Sequence, residues 1–144
     1  MRQSPRQLQL IRGVGLLDAM IALAILAFGM LAMTRFQART VAQTTEAQQR
    51  LVATQLGDEL LSTVIVDVGN AACYTLPQAG ACASATAKTR TEAWATRVGT
   101  ALPGSVSTTS TIDAASGRLT VVINWTGKAS TDARRLEAVT DVRP

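Results

Sequence analysis

The chain has 144 residues, of which 47% are hydrophobic and 17% charged, and this length and balance fit one small domain. It contains no histidine, which excludes a Ser-His-Asp catalytic triad and most zinc sites. We therefore expect no enzymatic activity, and we predict neither a cofactor nor a bound metal ion.

The positive charge of the chain is concentrated at its amino end. The formal net charge is +4, and Arg2, Arg6 and Arg12 all precede the first acidic residue, Asp18. Residues 14–144 carry 11 basic and 10 acidic side chains, which are interspersed. Because a nucleic-acid surface needs a concentrated basic patch, we do not expect nucleic acid as a primary partner.

Residues 14–33 have the composition of a membrane-spanning helix. These 20 residues include no proline and one charge, and at about 1.5 Å per residue they cover the roughly 30 Å hydrocarbon core of a bilayer. They are too long for the apolar region of a cleavable secretory signal, and no A-x-A site follows them. By the positive-inside tendency, the arginines of residues 1–13 place the amino end in the cytoplasm and the carboxyl-terminal domain outside.

Asp18 is the single charged side chain within this apolar segment. A carboxylate at the centre of a membrane helix costs about 2.5–3.5 kcal/mol, although Asp18 lies near the cytoplasmic end, where the cost is smaller. One interpretation is a solvated or snorkelling side chain. The alternative is that Asp18 meets a positively charged partner, such as the free amine that cleavage before Val14 would create on a neighbouring chain.

The helix is predicted to continue well beyond the apolar segment. No proline interrupts residues 7–76, so one helix of roughly 75 Å is expected from near Val14 to about Val64. Its outer half carries an apolar stripe that needs a sheet to cover it. The stripe comprises Val52, Leu56, Leu60, Leu61 and Val64. One interpretation of Gly29 and Gly57 is that they do no more than lower helix propensity. The alternative, for Gly29, is that it permits close packing between membrane helices.

The two cysteines, Cys73 and Cys82, flank a stretch that contains Pro77 and Gly80 and can therefore turn back on itself. This spacing favours a disulfide-closed loop, and two buried free thiols are the alternative. A metal site at these cysteines is not expected, because the chain has no other cysteine and no histidine to complete it.

A second, shorter helix is predicted in the middle of the chain. Thr89 and Glu92 have the spacing of a capping box, which predicts the start of this helix. Trp94, Val98 and Leu102 then recur at every fourth position until a Pro-Gly pair ends the helix. Because Trp94 shares the stripe with aliphatic residues, we expect it in the core rather than at a ligand site.

The last third of the chain is predicted to form a small antiparallel sheet. Residues 105–112 and 119–125 alternate between apolar and polar side chains, and residues 114–117 have turn composition. A third strand is expected within residues 136–142. The predicted fold class is therefore α+β, with a long amino-terminal membrane-spanning helix packed at its carboxyl-terminal half on this sheet.

The run Arg12-Gly13-Val14-Gly15-Leu16-Leu17-Asp18, followed by the apolar segment, resembles the class 3 prepilin signal of type IV pilins and type II secretion pseudopilins. In that family, a prepilin peptidase cuts a basic leader after glycine, the new amino terminus is N-methylated, and an acidic fifth mature residue supports assembly. The resemblance implies cleavage between Gly13 and Val14, N-methylation of Val14 and an assembly role for Asp18. This chain has Val14 where the family most often has Phe, and Asp18 where Glu is nearly universal.

The later features are similar in their order to those of PilV-type minor pilins. That subfamily has an apolar-Gly-Leu run at the end of the span, a helix with Asp and Glu followed by a cysteine-bearing loop, a Trp-bearing helix before a Leu-Pro-Gly turn, and a late strand that ends in Trp. The corresponding positions here are residues 24–32, Gly57-Asp58-Glu59-Leu60, Cys73, Cys82, Trp94, Leu102-Pro103-Gly104 and residues 121–125.

The resemblance implies three segments: a leader of residues 1–13 that is cleaved, a transmembrane and assembly helix of residues 14–33, and a periplasmic pilin-like domain of residues 34–144. The expected protein is a minor pilin, anchored by one span in the bacterial inner membrane and then incorporated in the filament or its tip. Its expected partners are other pilins, the pilus assembly platform, prepilin peptidase and the lipid bilayer. A type II secretion minor pseudopilin and a single-pass anchored binding domain that never polymerises remain alternatives.

Overall fold

A computed structural model describes the backbone of residues 5–127 and 132–143 and the side chains of residues 15–127 and 132–143. The elements are the helix α1 (Pro5–Val66), the 3-10 helix η1 (Val68–Tyr74), the helix α2 (Ala85–Ala101), and the strands β1 (Ser107–Asp113), β2 (Arg118–Thr126) and β3 (Ala133–Asp141). The chain divides into two compact units, Met1–Gln43 and Thr44–Pro144. The α+β class predicted from the sequence is confirmed.

The long helix predicted from the absence of proline is present as α1. It begins at Pro5 rather than near Val14, because residues 6–13 contain good helix formers and proline is tolerated in the first turn of a helix. It ends at Val66, close to the expected end.

The outer half of α1 buries its apolar stripe inside the second unit. Leu60 and Val64 are 2% and 0% exposed, and the remaining members of the stripe are partly buried against the same core. A Cβ atom at Gly57 would lie 3.2 Å from Leu136 Cδ2 and 3.7 Å from the Cβ atom of Ala138. Gly57 therefore does more than lower helix propensity: it lets α1 approach β3 closely.

The second helix starts one turn earlier than predicted. Ser84 is its N-cap, and the Ser84 hydroxyl oxygen accepts a hydrogen bond of 3.2 Å from the backbone N–H of Ala87. Thr89 lies inside α2, where its hydroxyl donates to the carbonyl oxygen of Ala85. The capping box expected at Thr89 and Glu92 is therefore wrong, because Ser84 supplies an equivalent cap upstream.

The apolar stripe of α2 was predicted correctly and forms part of the core. Trp94, Val98 and Leu102 are all buried, with exposures of 4% or less. The indole N–H of Trp94 donates a hydrogen bond of 2.8 Å to the backbone carbonyl of Leu56. This bond satisfies the polar atom of a buried tryptophan and fixes α2 against α1.

The three strands form one antiparallel sheet in the order β1-β2-β3. The central strand β2 contributes four core residues at alternate positions: Leu119, Val121, Ile123 and Trp125. Gly117 ends the β1–β2 turn with a φ of 68°, which a residue without a side chain adopts readily. β3 begins at Ala133, earlier than the predicted strand. Residues 133–135 do not alternate between apolar and polar side chains, so the sequence pattern does not predict this part of the strand.

We expect Leu60→Ala to lower the free energy of unfolding of the second unit by about 2–5 kcal/mol, because it leaves a cavity under α1. Leu51→Ala is the matched control, since Leu51 lies on the same helix but is 60% exposed, and its effect should stay within about 0.5 kcal/mol. Denaturant unfolding of the full chain in detergent, followed by tryptophan fluorescence, measures both. Equal losses for the two variants would contradict the packing described here.

Candidate functional site

The first feature of functional interest is the exposed apolar surface of α1 in residues 15–43. Thirteen large apolar side chains in this stretch are 51–73% exposed. They are Leu16, Leu17, Met20, Ile21, Leu23, Ile25, Leu26, Phe28, Met30, Leu31, Met33, Phe36 and Val41. Apolar surface of this extent is unfavourable in water, so this stretch requires lipid or protein around it.

Within the described residues, α1 is the helix that is long and apolar enough to cross a membrane, judged by length and composition. Residues 19–33 contain no polar or charged side chain over 15 positions. Since 15 residues make about four helical turns, apolar side chains lie on every side of α1 here. A helix that is apolar all round is typical of a lipid-embedded or fully buried environment.

The residues predicted from the prepilin resemblance, Gly13, Val14 and Asp18, lie in the third and fourth turns of α1. Gly13 and Val14 belong to its described backbone, and their side chains lie outside the described residues. Asp18 is exposed and, among the residues that the structure describes, forms no salt bridge. Because Val14 and Asp18 are four residues apart in a helix, they lie on the same face about one turn apart.

Gly29 differs from Gly57 in its surroundings. A Cβ atom at Gly29 would meet no atom within 4 Å among the described residues. No packing within the described part of the chain therefore requires glycine at this position. Its two interpretations, a simple propensity cost and a contact point for another helix, both stay open.

The second feature is the loop closed by a disulfide between Cys73 and Cys82. The disulfide interpretation of the two cysteines is thus confirmed. Inside the loop, Leu76 exchanges two backbone hydrogen bonds of 2.8 Å with Ser110 on β1. The hydroxyl of Thr91 on α2 donates to the carbonyl oxygen of Cys73. The loop is therefore attached both to the sheet and to α2.

A polar cluster links the end of α1 to this loop. The Asp67 carboxylate accepts hydrogen bonds of 2.7 Å from the Asn70 amide and 2.8 Å from the Tyr74 hydroxyl. These bonds lower the pKa of Asp67 below its ordinary value. Burial, together with the bond to Asp67, raises the pKa of Tyr74. Asp67 therefore remains ionised as an acceptor and Tyr74 remains protonated as a donor, and the cluster stabilises η1. Residues 68–74 show no periodic pattern that predicts this short helix.

A cleft of about 200 Å³ lies between the end of α1 and α2. Its charged lining residues are Glu59, Arg90 and Arg97, and Glu59 is paired with Arg97. In the part of the chain that the structure describes, no group of three or more Asp, Glu or Cys side chains is placed to hold a metal ion. The cleft therefore offers an ion pair and one further guanidinium.

Comparisons of the chain with protein-family models, curated proteins and solved structures find no significant match.

We expect loss of the disulfide to destabilise the second unit. With a sequence separation of 9 between the cysteines, replacing both by alanine should lower the free energy of unfolding by about 2–3 kcal/mol. Chemical denaturation of the full chain compares this double variant with the oxidised and the reduced parent. Denatured, unreduced parent protein should show no thiol that reacts with a maleimide, and two reactive thiols per chain would refute the bond.

Proposed function

We propose that this protein is a minor pilin, a structural subunit that is incorporated in a type IV pilus or helps to initiate one. The observation that carries the proposal is the position of the prepilin-like residues on α1. Gly13, Val14 and Asp18 lie immediately before a helical stretch whose large apolar side chains are more than half exposed. The outer half of the same helix supplies part of the core of an α+β unit with a disulfide.

The exposed apolar surface supports a subunit that changes its surroundings during assembly. Before assembly, lipid covers this part of α1, and the second unit lies on the periplasmic side of the inner membrane. In a filament, the same side chains pack against helices of sister subunits, so lipid contacts are exchanged for protein contacts of similar apolar character. Van der Waals packing then decides the stability of the assembled state.

Asp18 can favour one register between neighbouring helices, whereas a uniformly apolar helix would pack in several registers. An unpaired carboxylate is costly both in lipid and in a dry helix bundle. A register in which Asp18 meets the amino group of a neighbouring mature chain removes that cost, and slipped registers do not. Asp18 is the single charged side chain in residues 14–33, so this selection depends on Asp18 together with the amino group of the neighbouring chain.

We expect the mature chain to begin at Val14 and to carry an N-methyl group. Intact-mass measurement of protein extracted from membranes of cells with an active prepilin peptidase tests this expectation. The matched control is a Gly13→Leu variant, which should retain residues 1–13 because the peptidase requires glycine at that position by the family resemblance. Parent protein that also retains residues 1–13 would contradict the proposal and would favour a permanently anchored domain.

We expect Asp18→Ala to separate membrane insertion from assembly. Its amount in the inner membrane should equal or exceed that of the parent, because the variant removes the cost of a carboxylate in lipid. Its amount in sheared filaments, or in crosslinks to other pilins, should fall several-fold. Asp18→Asn separates charge from shape and should behave like Asp18→Ala, whereas Asp18→Glu should assemble at least as well as the parent. Normal incorporation of Asp18→Ala would show that Asp18 is a tolerated solvated residue.

A further inference from the structure

A groove of about 380 Å³ lies between α1 and β3 in the second unit, and we call it the arginine groove. Its polar lining consists of Arg50 and Thr54 from α1, the Trp125 side chain from β2, and Arg134 and Arg135 from β3. None of these residues belongs to the apolar stretch or to the prepilin-like motif. The proposed function leaves the groove without a role.

The arginine groove contains more positive charge than its partners neutralise. Arg134 contacts the Glu46 carboxylate at 2.6 Å, and Arg50 contacts the same oxygen at 3.5 Å. Arg135 pairs with Glu137 at 2.7 Å. Three guanidinium groups therefore share two carboxylates, which leaves one positive charge uncompensated by these pairs. A singly charged anion matches that excess better than a dianion.

Two of the residues that line the groove each have an unused hydrogen-bond donor. The indole nitrogen of Trp125 and the Nε atom of Arg134 are buried and have no hydrogen-bond partner among the residues that the structure describes. Trp125 as a whole is 3% exposed. The two residues are directly paired across β2 and β3, so their side chains lie side by side on one face of the sheet. A buried donor without an acceptor is costly, and an oxygen acceptor that enters the groove would relieve that cost.

The outer backbone edge of β3 lies beside the arginine groove and has no strand partner among the described residues. Val142 donates to the carbonyl of Gly117, which fixes the alternation of hydrogen-bonded pairs between β2 and β3. By that alternation, the backbone groups of Ala133, Arg135 and Glu137 point away from β2. Within residues 5–127 and 132–143, no strand pairs with this edge. The opposite edge, on β1, is occupied at its middle by the loop that the disulfide closes.

We propose that the arginine groove and the adjacent edge of β3 bind an extended segment of another protein through one Asp or Glu side chain. The segment adds to the sheet by backbone hydrogen bonds with Arg135 and its neighbours. Its carboxylate enters the groove, where Arg134 is the central donor and Arg50 supplies the uncompensated charge. The inference does not depend on the proposed function, because an anchored domain that never polymerises would present the same surface.

The test uses the full chain in zwitterionic detergent, labelled with nitrogen-15 in its two tryptophans. The probes are a blocked heptapeptide of alternating Thr and Ser around a central Glu, the same peptide with a central Gln, and inorganic phosphate. The Glu peptide should shift the indole N–H signal of Trp125. The signal of Trp94 should not move, because its N–H already donates to Leu56. The Gln peptide should bind about tenfold more weakly, the effect of one charge-assisted hydrogen bond.

Arg134→Gln should reduce the affinity for the Glu peptide to that for the Gln peptide. Lys88→Gln is the matched control, because it removes the same charge from an exposed position on α2 and should leave the difference between the peptides intact. The affinities of the Glu and Gln peptides for the parent chain test the role of the carboxylate even if Arg134→Gln does not fold. Equal binding of the two peptides, no shift of the Trp125 signal at low salt, or tighter binding of phosphate than of the Glu peptide would each overturn the proposal.

Discussion

The burial of the carboxyl-terminal half of α1 in the core is the interaction that organises the second unit, and α1 lies close to β3 at Gly57. A Cβ atom at this position would lie 3.2 Å from Leu136 Cδ2, so glycine lets the helix lie near β3 without displacing that side chain. Leu60 and Val64, one and two turns farther along α1, are buried in the core, and the carbonyl of Leu56, the residue before Gly57, accepts the hydrogen bond from the indole N–H of Trp94. α1, β3 and α2 therefore meet in this part of the second unit.

Two consecutive parts of α1 need different surroundings to be stable. In residues 15–43 the apolar side chains have no cover within the described chain, whereas in residues 52–64 they form one stripe that the second unit buries. The first pattern stabilises a helix only in lipid or against other proteins, and the second stabilises it by tertiary packing in water. A filament subunit needs both an apolar helix surface for lipid or sister subunits and a helix stripe buried in its own folded unit. The order of the two patterns in α1 therefore supports the proposed function.

The second unit is small, and its stability does not come from the core alone. The disulfide closes the loop between Cys73 and Cys82, and through Leu76 this loop pairs with the edge of β1. The Asp67 cluster fixes η1 just before that loop. Edge pairing of this kind also protects an exposed strand from unintended partners. The edge of β3 has no comparable cover among the described residues. This difference between the two edges is the reason that we propose strand addition at β3, beside the arginine groove.

The sequence by itself determined the features that depend on local pattern. Proline-free residues gave α1, four-residue spacing gave the stripe of α2, and two-residue alternation gave the strands and their turn, because these periods follow from backbone geometry. Cys73 and Cys82 were paired correctly since the chain has no other cysteine. Only the tertiary structure decided the cap at Ser84, the role of Gly57, the formation of η1 and the grouping of Arg50 with Arg134. Some of these features depend on contacts between residues that are distant in the chain. Others depend on a choice among several residues with similar local propensity. The local sequence pattern gives no information on such contacts or on such a choice.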